Sequence, residues 1–124
     1  VNLFNWLLIG HLIGDFLVQS ESMATHKETS WSWMLKHVGI YMVVISLVLV
    51  AYGVAHHLPL SLVLIALLVI CVTHIVLDRR DFTAWWIRRL GLSAGHTWLP
   101  IMVDQVFHLL TLAAVAQVVV WAGN

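Results

Sequence analysis

The stretch HLIGDFLVQ sets His11, Asp15 and Gln19 four positions apart, on one stripe of a helix whose other residues are apolar. The same spacing of imidazole and carboxylate returns as His74 and Asp78 in THIVLD, and reversed as Asp104 and His108 in DQVFHLL. His37, in LKH, heads a further apolar run. Neutral imidazoles with carboxylates are a donor set for zinc, iron or manganese, the carboxylates supplying the charge that holds a divalent ion. A single Asp/His pair reads as interhelical glue, because transmembrane helices use polar side chains in that way. Three pairs and His37 at one level exceed what glue requires, and His11, Asp15, His74, Asp78, Asp104 and His108 read as metal ligands. Gln19 and Gln105 read as groups that hydrogen-bond the ligands from behind.

The elements that must position these residues follow from composition. The chain has 124 residues, 61% of them hydrophobic and only 10% charged, whereas a soluble domain carries about 25% charged residues. Apolar runs of roughly 20 residues mark transmembrane helices. Four fit here, at about 1–20, 34–55, 60–78 and 100–122, the last opening at Pro100, a residue favoured in a first helical turn. The expected fold is all-α: a single integral membrane domain, 1–124, built as a four-helix transmembrane bundle. The first run has neither a basic leader nor a small-residue cleavage site, so it is expected to remain as a span. DFTAWWIRRL predicts a short interfacial helix before the last span, with Trp85 and Trp86 toward lipid and Arg88 and Arg89 toward phosphate.

Lys27, Lys36, Arg79, Arg80, Arg88 and Arg89 all lie in or beside the two connections that follow the first and third runs. The positive-inside rule places those connections in the cytoplasm and both termini outside. An up-down-up-down bundle then brings the polar ends of all four spans into the cytoplasmic half. At a rise of about 1.5 Å per residue, His11 lies about 13 Å below Ser20 and His108 about 12 Å below Pro100. A lone aspartate at mid-membrane costs roughly 2.5–3.5 kcal/mol, so such groups face inward, pair with one another and serve a function. Gly10, Gly14 and Gly39 beside the stripe read as points of close helix approach. His56 and His57 read as a solvated turn, and His26 and His96 as surface or lid residues.

Several classes are excluded. The formal net charge of zero leaves no footprint for nucleic acid. Cys71 is the single cysteine, so there is no intrachain disulfide. Neither H-E-x-x-H nor G-x-S-x-G occurs, which removes sequence support for protease and serine-hydrolase readings.

Together, HLIGDFLVQ, the basic connection with Lys27, LKH, THIVLD and DQVFHLL resemble an uncharacterised bacterial integral-membrane family, domain of unknown function 3307. The resemblance covers nearly the whole chain. It implies four spans but no established activity, and its signature falls on His11, Asp15, Gln19, Lys27, His37, His74, Asp78, Asp104, Gln105 and His108. THIVLD is also similar, more loosely, to the histidine-to-aspartate helix end of predicted membrane-bound metal-dependent hydrolases.

The sequence thus predicts an intramembrane divalent-metal protein of the bacterial inner membrane, acting as a hydrolase on a lipid or lipid phosphate at the cytoplasmic leaflet. His37 would shuttle the proton, and Lys27, Lys36, Arg79 and Arg80 would attract the anionic head group. The alternative is a non-enzymatic subunit or a proton or metal pathway using the same cluster, within a homo-oligomer or larger membrane complex. A third reading, haem held by His11 and His108, leaves three buried carboxylates without a use.

Overall fold

The computed structural model describes residues 2–27, 29–92 and 98–124; His96 lies outside them. Every regular element among these is helical. Helix α1 spans Leu3–Leu12 and runs into a π-helical turn at Ile13–Leu17; the rest are α2 (Glu21–His26), α3 (Trp31–Ala55), α4 (Leu60–Asp78), α5 (Asp81–Arg89) and α6 (Trp98–Gly123). Helices α3, α4 and α6 are long and apolar enough to cross a membrane. The first apolar segment is shorter than the sequence suggests, ending at Leu17. Its fifteen residues reach only about 22 Å at helical rise, against a hydrocarbon thickness of about 30 Å.

Local chemistry sets these ends. The Asn2 side chain accepts a hydrogen bond from the backbone N–H of Asn5 at 2.9 Å and caps α1, while Ser20 accepts from Met23 N–H at 3.2 Å and starts α2. Ser20 therefore belongs to the next helix, which is why the first cannot continue to it. His57 and Arg80 adopt left-handed backbone, with φ of 53° and 61°, and turn the chain into α4 and α5.

Helix α1 packs between α3 and α6, and α4 packs between the same two, so α1, α3, α4 and α6 close a ring; α2 leans on α3, and α5 on α4 and α6. One half of the ring is a dry core of Leu3, Leu7, Ile45, Leu49, Val63, Ala66, Ile70, Leu112, Val115, Ala116 and Val119. Outside, the helices present large apolar side chains, among them Leu17 at 76% and Trp121 at 78% exposure. A helix apolar all round belongs in a large core or in lipid. The polar residues are inside instead: His11, Asp15, Lys27, His37, His74, Asp78, Thr83, Asp104 and His108 are all buried.

Two of the three glycines beside the polar stripe sit at close approaches. A Cβ on Gly14 would stand 2.5 Å from the Tyr41 ring, and one on Gly10 would stand 3.2 Å from Val48. Gly39 has nothing within 4 Å, so it is not a contact point. It faces away from the neighbouring helices.

Candidate metal centre

Asp15, delivered by the π turn of the first segment, meets His74 and Asp78 from α4 and His108 from α6. One donor atom from each of these four buried residues lies within 4.8 Å of all the others. The π turn is what sequence periodicity missed. Val18 N–H reaches back five residues to the Ile13 carbonyl, at 3.0 Å, a wider turn often found at functional sites. It shifts Gln19 out of line with Asp15, and the Gln19 Nε2 donates instead to the Asp15 carbonyl oxygen at 2.7 Å. Gln19 thus caps the backbone of the residue that carries the carboxylate.

Asp78 is the hub. Its Oδ2 lies 2.9 Å from His37 Nε2, 3.1 Å from His74 Nε2 and 3.1 Å from Lys27 Nζ; its Oδ1 lies 3.2 Å from His108 Nε2. Asp15 Oδ1 is 3.2 Å from His37 Nε2 and 3.5 Å from His74 Nε2. His37 Nε2 also lies 3.0 Å from His74 Nε2, so imidazole nitrogens and carboxylate oxygens crowd one small space.

Tautomers can be read from the partners. His108 Nδ1 sits 2.8 Å from the Asp104 carbonyl oxygen, which can only accept, so Nδ1 carries a hydrogen and, in the neutral ring, Nε2 presents a lone pair. That lone pair faces Asp78 Oδ1. A ring fixed by a backbone carbonyl at one nitrogen, with the other turned inward, is the usual preparation of a metal-ligating histidine. For tetrahedral coordination with bonds of about 2.0–2.1 Å, neighbouring donor atoms stand about 3.3–3.4 Å apart. The contacts of His108 Nε2 with Asp78 Oδ1 (3.2 Å), His74 Nε2 with Asp78 Oδ2 (3.1 Å) and His74 Nε2 with Asp15 Oδ1 (3.5 Å) lie close to that separation, while the set with one atom from each residue spreads to 4.8 Å and would draw in around an ion.

His11 is engaged differently. Its Nε2 is 2.8 Å from Gln105 Oε1, which accepts, and its Nδ1 is 2.9 Å from the Tyr41 hydroxyl, which donates to it. The Gln105 orientation is fixed because its Nε2 faces Asp15 Oδ2 at 3.4 Å and Asp104 Oδ2 at 3.5 Å; the flipped amide would set oxygen against two carboxylates. Both His11 nitrogens are therefore taken, which also removes it from the haem pairing. Asp104 lies at the edge, its carboxylate 3.6 Å from His108 Nδ1 and its backbone holding that ring. Tyr41, one turn beyond His37 on the same face, carries no metal signature in sequence, yet its ring stacks on His74 with centroids 3.7 Å apart.

The four cations assigned to the mouth part company. Lys27 turns inward, 4% exposed, onto Asp78. Lys36 Nζ sits 4.5 Å over the Trp33 ring, and Arg79 lies 4.7 Å over Trp31. Arg80 forms the left-handed corner before α5. His26 stacks on Trp33 and His56 on Tyr52, both away from the centre.

The family described as Protein of unknown function (DUF3307) matches residues 3–124 of the chain. The chain belongs to this family. No curated protein and no solved structure matches it. The DUF3307 chain thus carries a buried His/Asp group whose geometry suits a metal ion, inside a helical body with three helices able to cross a membrane.

Proposed function

We propose that this DUF3307 protein is an integral protein of the bacterial inner membrane that holds a divalent cation between Asp15, His74, Asp78 and His108. One observation carries the reading: Asp15, His74, Asp78 and His108 are all buried, and each offers a donor atom within 4.8 Å of the other three. In its neutral form His108 turns a lone pair on Nε2 toward Asp78 Oδ1 at 3.2 Å, and the two repel unless a proton or a metal ion lies between them. With neutral imidazoles the buried set holds three carboxylates against the single ammonium of Lys27, leaving two negative charges. One divalent ion cancels them, and the mixed imidazole and carboxylate donors suit zinc, iron or manganese.

In this reading α3, α4 and α6 are full spans, α1 with its π turn is a short fourth one that the bilayer meets by local thinning, and α5 lies at head-group level with Trp85 in lipid. The basic connections face the cytoplasm. The chemistry is hydrolysis of a lipid phosphate at the cytoplasmic leaflet. A bound ion supplies water of pKa about 7 as the nucleophile. His37, its Nε2 within 3.2 Å of both Asp15 and Asp78, accepts and returns the proton, while His11, Gln105 and Tyr41 hold Asp15 and His74 in place. A proton or ion pathway is less well supported, because beyond Tyr41 the ring is filled by Leu3, Leu7, Ile45, Leu49, Ile70 and Leu112. Among the described residues no buried polar side chain continues beyond Tyr41.

Elemental analysis of the purified protein tests the metal. Stoichiometric zinc, iron or manganese is expected, lost in Asp78→Asn and kept in His56→Gln. A preparation free of all three, indifferent to added divalent ions in a melting assay, overturns the proposal. Liposome assays separate the two activities: lipid consumed without ion flux supports the hydrolase, and flux without lipid turnover the pathway.

A further inference from the structure

With Lys27 held by Asp78 and Lys36 stacked on Trp33, the remaining basic groups gather elsewhere. A cleft of about 690 Å³ opens where α4 gives way to α5, facing the start of α6. Its polar wall is Thr29, Arg79, Arg80, Thr83 and Arg88, with Asp81 at the rim; its apolar wall is Ala84, Ile87, Pro100 and Ile101. Arg79 and Arg88 bring two guanidiniums to this wall, the fork geometry that suits the oxygens of a phosphate monoester.

Thr83 supplies the independent sign of a ligand. It is 1% exposed, and its Oγ1 is buried with no hydrogen-bond partner. The hydroxyls of Thr25, Thr73 and Thr111 each donate to the carbonyl four residues back. Thr83 cannot use that outlet, because four residues back lies Arg79, beyond the left-handed corner at Arg80 where α5 begins. A buried hydroxyl left unmatched is destabilising, and this one belongs to a residue that lines the cleft. Arg79 adds a second: its guanidinium is braced on Trp31, while Nη1 is buried without a hydrogen-bond partner.

We propose that this cleft binds the phosphate monoester head of an amphiphile. Arg79 and Arg88 provide the charge, Thr83 Oγ1 donates a hydrogen bond to a phosphate oxygen, and Ile87, Pro100 and Ile101 receive the start of the apolar tail. An adjoining cleft of about 360 Å³ shares Arg80 and Ile101 and is lined by Asp15 and Gln105, so the head-group site borders the His/Asp centre. That the bound lipid is the substrate rests on the proposed function; that it binds does not.

Equilibrium binding to the full chain in neutral detergent tests this, with dioctanoyl phosphatidic acid as the probe and dioctanoyl phosphatidylcholine and inorganic phosphate as competitors. Saturable binding of phosphatidic acid is expected, competed weakly by inorganic phosphate and not by phosphatidylcholine. Arg88→Gln, at an exposed position, weakens it about tenfold, the loss of one charge-assisted hydrogen bond. Thr83→Val also weakens it, Thr83→Ser restores it, and Lys36→Gln leaves it unchanged. Binding that is absent, or indifferent to Arg88 and Thr83, overturns the proposal, and inorganic phosphate binding as tightly as the lipid overturns its amphiphile part. Metal content measured on the same samples keeps the two proposals apart: lipid binding by metal-free protein supports this one alone, and bound metal without lipid binding overturns it while sparing the centre.

Discussion

His108 and His11 look alike in the sequence, each four residues from an aspartate, yet their hydrogen bonds divide their roles. His108 turns Nε2 into the centre because the Asp104 carbonyl occupies Nδ1, whereas His11 spends both nitrogens on Tyr41 and Gln105. His108→Ala should therefore abolish stoichiometric metal, while His11→Gln should lower affinity by about ten- to a hundredfold without abolishing it, as expected for a group that orients a ligand. Equal loss in both variants would contradict this division. Lys27 makes a different prediction. Lys27→Met leaves Asp78 without its ammonium, costing the metal-free protein about 3 kcal/mol, the usual penalty of breaking a buried pair. It also removes a positive charge that repels an incoming cation, so the rise in melting temperature on adding zinc should be larger in the variant than in the parent.

At the level of elements, the first helix is the one whose sequence and structure part. Its apolar run ends at Leu17, with the π turn placing Asp15 against α3 and α4, and Gly14 lets the Tyr41 ring lie directly on that turn. Gly14→Ala should destabilise the protein by about 1–3 kcal/mol, the ordinary cost of overpacking, and should disturb the Tyr41–His74 stack and metal content together. Gly39→Ala is the matched control: nothing faces that position, and replacing glycine within a helix gains up to about 1 kcal/mol. Thermal melts of both variants in the same detergent check the pair.

Across the whole molecule, the ring of helices is dry in one half and polar in the other. In lipid the helices gain little from burying apolar surface against each other, so packing and polar contacts decide association. The Asp/His centre joins the first segment, α3, α4 and α6, and an ion held by Asp15, His74, Asp78 and His108 ties the first segment to α4 and α6. Chelation should lower the melting temperature, and re-addition of the ion should restore it. Acidification should act in the same direction, since His74 and His108 must be neutral and the carboxylates ionised to bind metal. The signature is proton release on metal addition, measurable in weakly buffered solution; no release would contradict coordination by these groups.

The helical class, the long apolar segments and the Asp/His pairs were legible in the sequence, because composition and four-residue spacing are one-dimensional properties. Spacing alone could assign residues to a stripe but could not say which nitrogen of each histidine would be free. Tyr41, Thr83 and the inward turn of Lys27 carried no local signal: a tyrosine beyond a histidine, a threonine after a helix start and a lysine in a basic connection are all ordinary. Their roles arose from what stood opposite them, the His74 ring, the left-handed corner at Arg80 and the Asp78 carboxylate. Chemistry at a buried site depends on distances between helices far apart in the chain, and packing of the ring sets those distances.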